Sequence, residues 1–467
     1  MKKITLILLI GMFYLSLHSQ TRSIAEYVKE APFSMPEVAV PAFPKVSFNV
    51  LDYGAVGDGQ TLNHEAFQKA IDECTSKGGG VVVVPKGFWL TGPIELKSNV
   101  NFHVERAALV AFSTDFSLYK ADNGDMRAPI SGTKLKNIAI TGNGVIDGSG
   151  EAWRPVKKMK TTESQWKKLL KKGGVLSDSE TIWWPNEDIL KKDNRPYMVF
   201  LKNCENVLVE GVTLRNSPKF VLYPNSCKNV TIRHISVFND WWAQNGDGID
   251  ISACKNVVVY SCEINVGDDA LCLKSSGRST SPKLENVLIA GCNVYHGHGG
   301  FVIGSNTDGG MNNVFVTDCN FVGTDIGIRV KSNGGRGGEV QNIFIQNIYM
   351  NNIAGEAIHI DTYYQNIPAG AKRVDESQLP KDKMPDFKNF FLKNIYCNGA
   401  EKVAYIRGIE SYPIRDFSFE NVVISAKEGF YASYAKNFKL NNVRVITSDN
   451  NLEYVLDNTT GITPPEK

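Results

Sequence analysis

KNVVVYSCEI, starting at Lys255, and ENVLIAGCNV, starting at Glu285, carry the pattern that decides the fold. Each has an Asn, apolar residues one and three places after it, and apolar residues or Cys six and eight places after it. The same pattern recurs as KNIAITGNGVI from Lys136, ENVLVEGVTL from Glu205, KNVTIRHISV from Lys228, NNVFVTDCNF from Asn312 and QNIFIQNIYM from Gln341. It continues as KNFFLKNIYC from Lys388, DFSFENVVI from Asp416 and KNFKLNNVRV from Lys436. The anchors Asn206, Asn229, Asn256, Asn286, Asn313 and Asn342 are 23, 27, 30, 27 and 29 residues apart. Alternating apolar residues over four or five positions mean short strands, and a period in the twenties makes each repeat one coil of a solenoid. No helical periodicity intervenes, so these are not βαβ units. Coils stacked strand on strand at about 4.8 Å give long parallel sheets with apolar columns inside.

The expected fold is therefore all-β: a single right-handed parallel β-helix of about ten coils over residues 21–467. The anchor Asn residues should stack in a turn, where Asn tolerates left-handed geometry and can bond the backbone. Residues Asn63 to Cys74 have apolar residues at helical spacing and end at Gly78 to Gly80, which predicts a helical cap on the first coil. Residues 154–194 break the repeat with Lys157, Lys158, Lys160, Lys167, Lys168, Lys171 and Lys172 and with Trp166, Trp183 and Trp184, an insertion that should emerge at one face of the solenoid. Cys204, Cys227 and Cys254 lie two places before anchors, and Cys262, Cys292 and Cys319 six places after them. An odd total of 9 Cys in such columns favours small buried hydrophobes over disulfides, and without CxxC or clustered His it offers no zinc site.

Composition bounds the rest. With 42% hydrophobic and 21% charged residues the chain is neither disordered nor fibrous. A net charge of +2, from 51 basic and 49 acidic residues, provides no global field for nucleic acid or an anionic membrane. Residues 1–20 read as a signal peptide: Lys2 and Lys3, then an apolar run from Ile4 to Leu17 too short for a membrane span. The mature protein is expected in the periplasm or outside the cell, as a monomer with no membrane span.

Aligning coils by their second sheet strand sets DGIDIS (Asp247 to Ser252), DALCLK (Asp269 to Lys274), GGFVIG (Gly299 to Gly304) and IGIRVK (Ile326 to Lys331) side by side without gaps. Ile249, Leu271, Phe301 and Ile328 then point inward, as do Ile251, Leu273, Ile303 and Val330. Lys274, Arg329 and Lys331 point outward. Asp268 and His298 form one column before the strands, and Asp247 and Asp269 form its neighbour. Stacked carboxylates about 5 Å apart cost stability, so their grouping argues for function.

NGDGID (Asn245 to Asp250), GDD (Gly267 to Asp269), GHG (Gly297 to Gly299) and IRVK (Ile328 to Lys331) resemble, in order and spacing, the four signature segments of glycoside hydrolase family 28, the polygalacturonases. GVIDGSGEAW from Gly144, NSPKF from Asn216 and IDTYY from Ile360 extend the resemblance over the chain from Phe48 onward. The resemblance implies inverting hydrolysis of galacturonosidic linkages in pectin, without cofactor or metal. It makes Asp268 the general acid and Asp247 with Asp269 the pair that activates water, with His298 tuning or sharing the proton of Asp268. Two adjacent anions would keep Asp268 protonated. Arg329 and Lys331 would bind galacturonate carboxylates, and Asn245, Lys274 and Tyr364 would line the substrate cleft. Gly246 stands where many relatives carry Thr, and Asn306 where an acidic residue is usual. SNGGRGG (Ser332 to Gly338) is closer to bacterial members. With the insertion it suggests a cleft partly closed at one end, which would suit exo action.

Other readings stay open. A rhamnogalacturonan- or xylogalacturonan-directed hydrolase of the same family would use the same residues. A pectate lyase shares the fold but needs Ca²⁺ with 6 to 8 oxygen ligands, and a catalytically silent glycan-binding β-helix would need no acid at all.

Overall fold

The computed structural model describes residues 22–364, 375, 379–447 and 454–461. The expected signal peptide lies outside the described residues. The chain winds into a right-handed parallel β-helix built on two long parallel sheets, with 20 and 12 strands among the described residues. Each coil lays two strands around a corner of the larger sheet, as in Lys255–Tyr260 and Glu263–Asn265, and one in the smaller sheet. From Met311–Val322 onward the two strands at the corner merge into one. The smaller sheet has 12 strands where the repeats suggested about ten coils, because the first strands, Ile94–Glu95 and Ile130–Thr133, precede any Asn-led line.

Alternation fixes which side chains are inside. Val257, Val287, Val314, Ile343 and Phe390 are in register on successive coils, and all are buried. The anchor Asn residues adopt left-handed geometry, with φ near 52–58° at Asn137, Asn206, Asn229, Asn256, Asn286 and Asn313. Their side chains bond one another instead of the backbone. Asn206 donates to Asn137 at 2.9 Å, Asn229 to Asn206 at 2.9 Å, Asn256 to Asn229 at 3.1 Å and Asn286 to Asn256 at 3.2 Å. An amide has both donor and acceptor, so a column of amides one coil apart satisfies itself. All nine Cys are buried free thiols.

The helix His64–Ser76 covers the first coil with Phe67, Ala70, Ile71 and Cys74, the expected cap. An N-terminal arm was not foreseen. Its helix Ile24–Glu30 starts with a capping box between Ser23 and Glu26, and Tyr27 and Met35 pack on the outer face of the larger sheet against Val258, Tyr260, Leu288 and Phe315. The Tyr27 hydroxyl donates to Asp318 at 2.8 Å.

The insertion folds as a small antiparallel sheet, Val156–Lys157, Val175–Leu176 and Ile182–Trp184, with helices Glu163–Lys171 and Glu187–Lys192. Val156, Trp166 and Trp183 form its core and touch Trp242. Among the described residues, no helix is long and apolar enough to cross a membrane.

Candidate active site

The site lies on the outward face of the smaller sheet, where four successive strands carry the expected columns. The register is that of the gap-free alignment: Ile249 beside Leu271, Leu271 beside Phe301, and Phe301 beside Ile328. Period-two alternation then turns Asp250, Cys272, Val302 and Arg329 outward in one column and Ser252, Lys274, Gly304 and Lys331 in the next. Before the strands, the Asp269 carbonyl accepts from Gly248 N–H at 2.9 Å and the Asp268 carbonyl from His298 N–H at 2.8 Å, which stacks Asp247 on Asp269 and Asp268 on His298.

Ammonium and guanidinium groups knit the carboxylates together. Lys331 Nζ donates to Asp269 Oδ2 at 2.7 Å, and Arg329 Nη1 to Asp269 Oδ1 at 3.3 Å. Lys274 Nζ donates to Asp247 Oδ2 at 3.3 Å and also contacts Asp250. Both cations of the first group lie under the Tyr364 ring, Arg329 at 5.9 Å and Lys331 at 5.7 Å from its centroid. Lys331, read as an outward side chain, is only 7% exposed because Asp269 and Tyr364 enclose it. Asp268 is half-buried, and its two oxygens accept the backbone N–H groups of Asn245 at 3.2 Å and Asp269 at 3.0 Å.

Burial and charge divide the two stacked carboxylates. Asp247 is pushed well above the ordinary carboxylate range by burial and by the neighbouring Asp250 and Asp268, with Lys274 opposing, and its Oδ1 has no partner among the described residues. Burial also acts upward on Asp269, but Lys331, Arg329 and Lys274 overcome it and hold that carboxyl well below the usual range. One carboxylate is thus prepared to accept a proton and its neighbour is locked as an anion. Asp247, Asp269 and Cys272 offer ligand atoms within 4.8 Å of one another. Lys274 Nζ stands 2.9 Å from Cys272 Sγ and 3.3 Å from Asp247, so these donors already face ammonium. Burial pushes the Cys272 thiol well up, which makes it a poor metal ligand.

Every expected residue is in this cluster, but two partners were missed. Asp250 sits fully buried under Lys274, raised to about 6 mainly by burial. His298 turns its Nδ1 to Asp325, which the sequence reading did not single out. Extending the Phe301–Ile328 register back three residues sets Asp325 beside His298, so the signal was in the alignment already made. The flanks of the insertion contribute as well. Arg195 donates to Asn245 Oδ1 at 2.9 Å and to the Gln244 carbonyl at 2.9 Å. Arg154, fully buried, donates to the Ser217 carbonyl at 2.8 Å and to Asn239 Oδ1 at 3.1 Å. Both arginines pin the loop that carries Asn245. Lys160 donates to the Trp241 carbonyl at 3.1 Å on the same loop.

The chain is similar to known proteins in sequence and fold. The sequence model of Glycosyl hydrolases family 28 matches residues 167–448, and that of Rhamnogalacturonase A/epimerase, pectate lyase-like, matches residues 47–105. The chain is 28% identical over 400 residues to a probable polygalacturonase of Vitis vinifera, covering 81% of this chain and 74% of that one. It is 27% identical over 439 residues to the exo-poly-alpha-D-galacturonosidase of Dickeya chrysanthemi, covering 86% and 71%. The crystal structure of a hyperthermoactive exopolygalacturonase from Thermotoga maritima superposes with a TM-score of 0.69 at 29% identity, covering 87% of this chain and 94% of that one. With the family sequence model spanning more than half of its length, the chain belongs to glycosyl hydrolases family 28 and is a glycoside hydrolase.

Proposed function

We propose that the protein is an exported enzyme that hydrolyses α-1,4-galacturonosidic linkages of polygalacturonate or a related pectin chain, with inversion and from a chain end. One observation carries the substrate reading: two cations, Arg329 and Lys331, share the single carboxylate of Asp269, and Arg329 Nε is buried without a partner among the described residues. A buried cluster with one excess positive charge is completed by an anion, and a sugar carboxylate supplies one. The names of the relatives in Vitis vinifera, Dickeya chrysanthemi and Thermotoga maritima support a galacturonate polymer, and two of them support exo action. The insertion pinned by Arg154 and Arg195 beside Asn245 supports a cleft closed at one end.

In the proposed reaction, Asp268 gives its proton to the glycosidic oxygen while the two backbone N–H groups hold the carboxyl in place. Asp247 takes the proton of the attacking water. Its upward displacement makes it the stronger base of the stacked pair, and a general base works best near the operating pH. Asp269, locked by Lys331 and Arg329, fixes the basic pair. Inversion follows when acid and base act on opposite faces of the sugar with a water between them.

Incubation with polygalacturonate and with rhamnogalacturonan oligosaccharides, with products sized over time, tests the reading. Steady release of a single small product from polygalacturonate supports exo action on that chain, and a falling ladder of oligomers replaces it with endo action. Cleavage of the rhamnogalacturonan oligosaccharides alone moves the enzyme to that backbone. No reducing ends from any chain would leave a glycan-binding β-helix.

A further inference from the structure

The columns of the site do not end at the carboxylates. Moving one coil upstream from Asp247 and Asp250 leads to Phe220 and Tyr223, and two coils upstream to Tyr197 and Phe200. The four rings form one half-exposed cluster on the same outward face. Tyr197 lies 5.4 Å from Phe200, 5.0 Å from Phe220 and 4.6 Å from Tyr223, centroid to centroid. Phe200 and Tyr223 stack at 5.4 Å, and Phe220 meets Tyr223 edge-on at 5.5 Å. Lys274 Nζ, 4.7 Å from the Phe220 ring, joins the cluster directly to Asp247 and Asp250.

The two sides of the acid cluster differ in charge. Downstream, Arg329 and Lys331 share Asp269, an excess of one cation. Upstream, Lys274 faces the two carboxylates of Asp247 and Asp250, while Arg195 at 2.7 Å and Lys219 at 3.4 Å share that of Asp193, so among the described residues three cations meet three carboxylates and none is in excess. Aromatic faces carry negative potential and suit the C–H face of a pyranose ring. The sugar that loses its leaving group becomes cation-like in the transition state, so it belongs on the side of aromatic faces and balanced charge, away from the excess cation. The leaving chain, with its carboxylate, belongs on the side of Arg329 and Lys331.

We propose that Tyr197, Phe200, Phe220 and Tyr223 form a sugar-stacking subsite upstream of the scissile bond, holding the non-leaving part of the chain by its ring face and not by its carboxylate. This rests on the hydrolase reading above for the position of the scissile bond. The site then reads charge on one side of the cut and ring shape on the other.

Phe200 is the test position, because it is two coils from Asp247 and does not touch Lys274. Phe200→Leu keeps an apolar side chain without a ring face, and Phe200→Trp keeps the face. The proposal expects kcat/KM on polygalacturonate to fall about tenfold in Phe200→Leu and to stay near wild type in Phe200→Trp, with thermal midpoints unchanged. The Leu penalty should also be the same at low and high salt. Unchanged kcat/KM in the Leu variant overturns the subsite, as does an equal loss in both variants. To separate this from the hydrolase reading, the same changes are placed in an Asp268→Asn background and titrated calorimetrically with a galacturonate oligosaccharide. Weaker binding with Leu but not Trp upholds the subsite even if the wild type hydrolyses nothing. Equal binding by all three, or none, removes it even if hydrolysis is real.

Discussion

Lys331→Met tests the electrostatic core of the site. Lys331 Nζ is 2.7 Å from Asp269 Oδ2, and both residues are buried, at 7% and 3% exposure. Removing one partner of a buried pair costs about 3 to 5 kcal/mol, but Arg329 stays on the other oxygen at 3.3 Å. A loss of roughly 2 to 3 kcal/mol at neutral pH is expected. Its sign with pH follows from Asp269. A carboxyl held below its ordinary range adds stability above the unfolded value, near about 3.9, and loses it as pH falls toward the folded value. Without Lys331 the carboxyl takes up its proton earlier. The gap between wild type and variant should therefore be widest near about pH 7 and narrow below about pH 4. Thermal midpoints of both proteins, measured across that range, read the gap directly. Activity on de-esterified polygalacturonate should drop at least about thirtyfold, equivalent to ~2 kcal/mol, and less on methyl-esterified chains. A stability gap independent of pH would mean that Lys331 acts by packing, and no gap at pH 7 would refute the charge argument.

Three further outcomes follow from the same geometry. Asp247 must be charged to accept a proton, and its carboxyl is raised by burial and by Asp250 and Asp268. The acid limb of the kcat/KM profile should thus lie above about pH 4, and a limb at or below the ordinary Asp value removes Asp247 as base. Asp325→Asn removes the anion on His298 Nδ1; kcat should fall about tenfold or more with KM little changed and the pH profile displaced, and Asp325→Glu should restore part of it. A uniform loss tracking the melting temperature would instead mark Asp325 as structural. Chelators should leave hydrolysis intact, since Lys274 and Lys331 already face the donor atoms, and strict dependence on Ca²⁺ would transfer the protein to the lyase reading.

The register of the smaller sheet was legible because its alternation is strict, and one inward residue fixes every outward one. That is why Asp247, Asp268, Asp269, His298, Arg329 and Lys331 could be set side by side from sequence. Asp325 is harder to read because it stands one residue before IGIRVK, ahead of the alternation that marks the strand. Arg154 and Arg195 were illegible for a different reason: their partners lie tens of residues away along the chain, at Asn239 and Asn245, and no periodicity links an insertion to a loop. Sequence also indicates that Asn tolerates left-handed geometry without saying what its amide will bond. The outer arm had a faint signal. Val257 to Val259, Val287 to Ile289 and Val314 to Val316 are continuous apolar runs where Val230-Thr231-Ile232 alternates, as expected for strands covered on both faces, and Val258, Leu288 and Phe315 are the residues under the arm. The aromatic cluster is hidden because its rings come from the strands Val199–Lys202 and Leu222–Asn225 and the residues just before them, which lie outside the four signature segments.

Single-displacement hydrolysis by Asp268 and Asp247 is tested most directly by the anomeric form of the first product. Proton NMR during early turnover of an α-linked galacturonate oligosaccharide should show the β-anomer appearing first, with the α-anomer growing only by mutarotation. Asp268→Asn, folded as wild type, should give no product on the same timescale. An initial α-anomer would demand a covalent intermediate, and an unsaturated product would mean elimination. Either would contradict the assignment of these carboxylates as the acid and base of an inverting hydrolase.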